Sequence, residues 1–384
     1  MNRSRIVFVL ALFGVIFGNG FFFGNRVFAQ DYSKEDIELR KKIAQMLIIG
    51  FRGMELKTSD PIYKLITKER IGGVILFDYD VPSKKSVRNI ESPDQLRKLC
   101  SDLQKASNNT LFISIDQEGG KVSRLKEKYG FPPTVSQAYL GENDSQKITS
   151  EWAARTAFTL KSLGINLNFA PSVDVNINPD CPIIGKLERS FSDNPEKVIK
   201  HAKIIIQEHN KLGIATAIKH FPGHGSSNSD THKGIVDVTN TYNISEIIPF
   251  KELIKQGVVD MVMTSHVFNS NFDEKYPATM SYNTLTNMLR VQMDYRGIIV
   301  SDDMAMGAIA NQYELKTCLE KAINAGVDIF ILSNNIVKYD DSIGYKAIDA
   351  IFDLIKEGKV SEKKIIDSYV KIEKLKSKME LRQN

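Results

Sequence analysis

Gly213-Ile214-Ala215-Thr216-Ala217-Ile218-Lys219-His220-Phe221-Pro222-Gly223-His224-Gly225 changes character at its midpoint. The first six residues have the length and composition of a buried strand; the run then ends in a lysine and a histidine and opens into a glycine loop. Glycine and proline fix backbone angles that let such a loop fold back, which would bring Asp230 and His232 over the Lys219-His220 edge. Three of the six histidines fall between His220 and His232. Two chemistries fit: a histidine proton shuttle beside a carboxylate, or a metal site built from His220, His224 and His232. The plainer alternative is a set of hydrogen-bonded core histidines, but titratable groups gathered on one loop more often mark a site.

Outward from this stretch, short apolar runs recur: Gln45 to Phe51, Gly72 to Phe77, Leu111 to Asp116, Ile165 to Pro171, Ala215 to Phe221, Met261 to His266, Gly297 to Asp303 and Val327 to Ser333. Each is too short for a helix and largely apolar, as parallel strands covered on both faces are. Helix signals lie between them. Ser92-Pro93-Asp94-Gln95 combines an N-cap, a first-turn proline and a capping-box glutamine. Ala347, Ile348, Ile351, Leu354 and Ile355 recur at helical spacing ahead of Gly358, with Ile348 and Ile351 as core candidates, and Ile365, Ile366, Tyr369, Ile372 and Leu375 form a stripe on a last helix.

Eight strand–helix alternations predict an α/β fold, a (β/α)8 TIM-type barrel. The rival, a doubly wound sheet, would show a phosphate-binding glycine motif at its first turn, and none follows Phe51. Without an internal repeat, low-complexity tract or Pro/Ser linker, one domain over residues 33–384 is the simplest partition. In such barrels the site lies at the carboxyl ends of the strands; here those ends carry Asp116, Lys219, His220, His266 and Asp302. Arg124 follows the Gln117-Glu118-Gly119-Gly120 turn. Carboxylates that accept from paired hydroxyls, with guanidinium that donates to ring or acyl oxygens, suit a polyhydroxylated ligand.

Residues 1–29 read as a secretory signal peptide: a basic Met1-Asn2-Arg3-Ser4-Arg5, an apolar Ile6 to Gly18, and Val27-Phe28-Ala29 ahead of Gln30. Phe21-Phe22-Phe23 lengthens the apolar region, so an uncleaved membrane anchor is the alternative. The expectation is an extracytoplasmic protein, periplasmic or secreted, monomeric and without stable membrane insertion after cleavage. Cys100, Cys181 and Cys318 are far apart and odd in number, which is neither a disulfide framework nor a zinc ribbon. A formal charge of +5 from dispersed lysines lacks the basic stripe that nucleic-acid binding requires.

Asp116-Gln117-Glu118-Gly119-Gly120, Arg189-Ser190-Phe191, Lys219 to Gly225, Asp230-Thr231-His232 and Ser301-Asp302-Asp303-Met304, in this order from about Gln45 to Ser333, resemble the motifs of family 3 glycoside hydrolases. Within that family the chain resembles the single-domain β-N-acetylglucosaminidases. The resemblance implies a retaining, cofactor-independent hydrolysis of a small carbohydrate or peptidoglycan fragment, with Asp302 as nucleophile, His232 as acid/base and Asp230 as its partner. It likewise implies that Asp116, Arg124, Arg189, Lys219 and His220 hold the sugar. Retaining glycosidases usually pair two carboxyl groups; a histidine in the shuttle role titrates near neutral pH, and a neutral base repels an anionic acceptor such as phosphate less than a carboxylate would. Three departures stand out: Thr231 replaces the usual serine, the stretch between Gly185 and Arg189 is longer, and Ile235-Val236 replaces a common Leu-Pro. The competing readings are the metal-dependent hydrolase already described, a non-catalytic sugar-binding barrel, and, for Asp302, a mere cap on the helix near Met304.

Overall fold

The structure, a computed structural model, describes residues 32–336 and 338–382, so the segment read as a signal peptide lies outside the described residues. Each of the eight apolar runs contains one strand: β1 Leu47–Gly50, β2 Gly73–Ile75, β3 Phe112–Ile115, β4 Leu167–Asn168, β5 Ala215–Phe221, β6 Met261–Thr264, β7 Ile298–Asp303 and β8 Ile329–Leu332. All pair in parallel and in chain order, and β8 returns to β1 in the register Leu47–Phe330, Ile48–Ile331, Ile49–Leu332. The (β/α)8 barrel is therefore closed, as predicted. Ile48, Val74, Leu167, Ala217, Val262 and Ile299 are inaccessible to solvent. The strands read as continuous apolar runs because the outer helices cover what the interior does not.

The helices follow the sequence signals with two corrections. Ser92 does cap Pro93–Ala106, its Oγ accepting the Gln95 amide at 3.3 Å. The reciprocal half of the capping box does not form. Gln95 instead accepts the Glu91 amide at 2.9 Å and donates to the carbonyls of Met54 and Asn89 at 2.8 and 3.0 Å, because the entering chain packs against the loop after β1. In Ile343–Lys356 the residues Ala347, Ile348, Ile351 and Leu354 are buried, and Gly358 ends the element at φ 70°. In Glu362–Leu381, Ile365, Ile372 and Leu375 are buried but Ile366 is exposed. The buried stripe takes in Ser368 and Lys376 instead. Lys376 Nζ donates to Gln45 Oε1 at 2.5 Å with its stem across the barrel floor, and burial lowers its pKa to about 8.

Two irregularities fall at the barrel mouth. The β5–β6 register shifts between Ile218 and Phe221, and the β7–β8 register shifts between Ile329 and Ile331, opposite Val300 to Asp303. Such breaks re-aim side chains next to sites, and these two enclose Lys219-His220 and Asp302. The loop after β5 is pinned at its far end by a ribbon outside the barrel, Val236–Asp237 paired with Val267–Phe268 just past β6. Val236 and Val267 are buried with Val238 and Ala278, each buried valine contributing roughly 1.5–3 kcal/mol. Ile235-Val236 thus closes the loop through strand pairing, with Ile235 left exposed. Cys100, Cys181 and Cys318 are buried and free, and among the described residues no helix is long and apolar enough to cross a membrane.

Candidate active site

A cavity of about 330 Å³ opens at the carboxyl end of the barrel. Asp116, Arg124, His232, Asp302 and Asp303 line it together with apolar groups from the loops after β2, β7 and β8. Asp302 lies within β7, one residue before the last paired position, Asp303 opposite Ile331, where the β7–β8 register is irregular. Among the described residues its carboxylate meets no cation at ion-pair distance; its one hydrogen bond is from the Asp303 amide to Oδ1, at 2.8 Å. Burial would raise its pKa, but the nearby rings of His266, His220 and His232 outweigh burial and hold it below the usual value. The carboxylate is held in its charged form and left unpaired, the state an oxygen nucleophile requires.

Asp303 has the opposite environment. Its carboxylate accepts the Ser333 and Ala305 amides at 3.0 and 3.1 Å and the Ser333 hydroxyl, and burial raises its pKa to about 6. Asp303 closes a turn onto the Ala305 amide, while the following helix begins at Gly307 with Met306 at its N-cap, so Asp302 caps no helix near Met304. His266 donates from Nε2 to the Asp303 carbonyl at 3.0 Å, with Nδ1 at 2.8 Å from Thr279 Oγ1.

His232 stands across the cavity on the loop after β5. Asp230 Oδ1 accepts both its backbone amide, at 2.9 Å, and its ring Nδ1–H, at 2.7 Å. An aspartate two residues ahead can close both bonds only with this ring orientation. Nε2 is thereby directed away from the pair, without a partner among the described residues. Burial would raise the Asp230 pKa, but the two bonds from His232 lower it, so it stays ionised. The loop rests on the segment that follows Asp302: Ala308 N donates to Thr231 O at 3.0 Å and Gly307 N to His232 O at 3.3 Å. Gly307 permits this approach, since a Cβ there would lie 2.8 Å from His232 O.

Behind the cavity wall lies a charge network. Glu118 sits at a turn whose residues Gly119 and Gly120 take φ 101° and 56°, a conformation that suits glycine. Its carboxylate accepts two parallel bonds from Arg189, at 2.8 and 2.7 Å, and Lys219 Nζ at 2.6 Å. Lys219 also donates to Asp116 at 2.8 Å. Burial opposes charge on Glu118, but Arg189 and Lys219 prevail and hold its pKa well below normal. For Lys219 the carboxylates of Asp116 and Glu118 likewise overcome burial and raise the pKa. Arg189 reaches His220 Nε2 at 3.0 Å; a guanidinium only donates, so this nitrogen accepts and the ring proton sits on Nδ1, 2.6 Å from Asp174. Asp174 also accepts the Ser172 hydroxyl and the His220 and His224 amides.

Of the five residues expected to hold a sugar, Asp116 and Arg124 line the cavity, whereas Lys219, His220 and Arg189 form the layer that fixes its wall. Arg124 is held at its backbone by Gln117 Oε1 at 2.9 Å, its guanidinium lies 5.6 Å from the Phe77 ring centre, and its Nε is buried without a partner. Glu118 and Asp174 were not singled out in the sequence. Glu118 is one residue of a motif read for its aspartate, and Asp174 follows a run that seemed complete at Pro171. The histidine cluster does not converge as metal ligands would. His220 is engaged as above, His224 Nδ1 is 2.6 Å from Ser227 Oγ with its pKa lowered to about 4 by burial, and among the described residues no three His, Cys, Asp or Glu are grouped to hold an ion.

A parallel eight-stranded barrel with a free carboxylate at β7 and an aspartate–histidine pair on the β5 loop defines the class of protein. The chain belongs to glycosyl hydrolase family 3: residues 38–375 match the model of that family's N-terminal domain. It is 33% identical over 338 residues to beta-hexosaminidase A of Pseudoalteromonas piscicida, covering 82% of this chain and 55% of that one. It is 34% identical over 296 residues to a beta-hexosaminidase of Photobacterium profundum, covering 75% of this chain and 82% of the relative. Among solved structures, a family 3 beta-N-acetylglucosaminidase from Paenibacillus sp. superposes with a TM-score of 0.80 at 34% identity, over 89% of this chain and 63% of that one. The chain thus spans little more than half of the Pseudoalteromonas relative and under two thirds of the Paenibacillus protein.

Proposed function

We propose that the chain is a retaining, exo-acting β-N-acetylglucosaminidase that releases terminal N-acetylglucosamine from peptidoglycan fragments or related glycans. The observation that carries this reading is the pairing within one cavity of an uncompensated carboxylate, Asp302, with a histidine, His232, whose Nδ1 is fixed by Asp230. Asp302 attacks the anomeric carbon while the glycosidic C–O bond breaks and the proton on His232 Nε2 passes to the leaving oxygen. In the second half, neutral His232 takes a proton from water, the water oxygen displaces the Asp302 carboxylate, and the sugar leaves with its β configuration. Asp230 stabilises the imidazolium and sets the ring. Asp116 and Arg124 would hold the sugar, over a wall kept rigid by Lys219, Arg189 and His220. The names of the relatives support the sugar; the basic and apolar N-terminal sequence supports an extracytoplasmic setting, where wall fragments are the available substrate. Product analysis on purified muropeptides beside chito-oligosaccharides tests the reading: single N-acetylglucosamine units should appear from non-reducing ends. Internal cleavage, or no sugar from either substrate, would refute it.

The approach of the β5 loop to Gly307 adds a prediction. Gly307→Ala places a methyl group 2.8 Å from the His232 carbonyl and 3.1 Å from the Lys233 carbonyl carbon, so the loop must move. Misplacing the acid by a fraction of an ångström to one ångström should lower kcat by about 10- to 100-fold. The loss should be greatest on substrates with poor leaving groups. Unchanged kinetics on a disaccharide would show that the loop position is not tied to this contact.

A further inference from the structure

The loop after β2 exposes two apolar side chains at the cavity rim, Tyr79 at 41% and Val81 at 45%, and buries the residue between them, Asp80 at 3%. Exposed apolar residues are common singly, but these two are held in place. Asp80 accepts Arg52 Nε and Nη2 at 2.7 and 2.9 Å, Arg88 Nη1 at 3.0 Å and the Ser83 amide at 2.9 Å. From the loop after β8, Asn335 accepts the Val81 amide at 3.0 Å and donates to the Tyr79 carbonyl at 3.0 Å. Arg88 ties the two loops again through the Ser333 and Asn334 carbonyls. Three barrel loops thus grip the backbone of residues 79–81, while the Tyr79 hydroxyl makes no hydrogen bond among the described residues.

We propose that Tyr79 and Val81 form an aglycone platform that receives the apolar face of a second pyranose ring. The inference rests on the glycosidase reading above and deepens it. At about 330 Å³ the cavity is at the small end of ligand pockets, which run roughly 300–1,000 Å³. One ring fills its charged floor at Asp116 and Arg124, so the ring beyond the scissile bond must lie over the rim. A pyranose presents C–H groups on its faces and hydroxyls at its edge; an aromatic ring fixed at the rim covers the face and leaves the edge to water. Because the platform is already ordered, little conformational entropy is lost on binding.

The test compares two substrates in the full chain: chitobiose, whose leaving group is a sugar, and the β-glycosyl azide of N-acetylglucosamine, whose leaving group has no ring. Tyr79→Ala should lower the ratio of kcat/KM for chitobiose to that for the azide by about tenfold, mainly through KM, the scale of one lost aromatic contact. Tyr79→Phe should restore the ratio, because stacking needs the ring and not the hydroxyl. Val81→Ser, less disruptive of the loop, should lower the ratio in the same direction by about threefold. A ratio within twofold of wild type for Tyr79→Ala, or Tyr79→Phe behaving like alanine, overturns the platform and leaves the glycosidase reading intact. Wild-type protein that cleaves neither substrate overturns both.

Discussion

Asp302→Ala abolishes turnover, by at least about 10⁴-fold in kcat, while binding of an N-acetylglucosamine-like inhibitor remains measurable and the fold persists. The separation follows from the surroundings of the side chain. Among the described residues Asp302 receives a hydrogen bond only from the amide of its own neighbour, so its loss leaves no distant donor there unpaired. Asp303→Ala should show the reverse. It strips partners from the Ser333 and Ala305 amides and the Ser333 hydroxyl, and each buried donor left unsatisfied costs about 1–3 kcal/mol. Thermal stability should fall clearly while substantial activity remains in the folded fraction. Inhibitor titration and thermal unfolding of both variants check the contrast, and an inactive Asp303→Ala of normal stability would point to the wrong carboxylate.

His232→Ala has the second-largest effect, and its size depends on the substrate. Proton transfer to the leaving oxygen is worth roughly 10²–10⁴-fold, and an activated aryl leaving group needs little of it. The loss should approach the upper figure on chitobiose and be small for the first chemical step on a dinitrophenyl glycoside. Deglycosylation would then limit turnover, since the same ring must also activate water. A small anionic nucleophile that needs no general base, such as azide, should speed release and yield a glycosyl azide. The open face of the loop favours such rescue: the His232 side chain is 56% exposed, although its Nδ1 is fixed on Asp230. Equal losses on good and poor leaving groups would remove His232 from the acid/base role.

The fold was legible because parallel strands covered on both faces leave a clear trace, short and largely apolar runs separated by helix signals, and all eight runs hold a strand. The placement of Asp302, Asp116 and the Asp230–His232 pair was legible for the same reason, since strand ends and glycine loops are where a barrel gathers its polar groups. The layer beneath them was not. Glu118 and Asp174 act by pairing with Arg189, Lys219 and His220, all distant in sequence, and periodicity carries no information about such partners. The resemblance singled out Asp302 over Asp303, but the surroundings that distinguish them, Asp303 held by the Ser333 and Ala305 amides and Asp302 left unpaired, could not be read from periodicity. The closing of the capping box at Gln95 failed for a related reason: a local motif lost its glutamine to the carbonyls of Met54 and Asn89. Ile366 shows the limit of reading a stripe by eye, since adjacent helical positions differ by about 100° and Ile365 and Ile366 cannot both face the barrel.

Covalent attachment of the sugar to Asp302 is measured directly by mass spectrometry of protein inactivated with a slow fluorinated N-acetylglucosaminide. One adduct per chain is expected, on the peptide that contains Ser301-Asp302-Asp303 and localised by fragmentation to Asp302, with no adduct in Asp302→Ala. An adduct on Asp303, Asp116 or any other residue of the wild-type protein would contradict it.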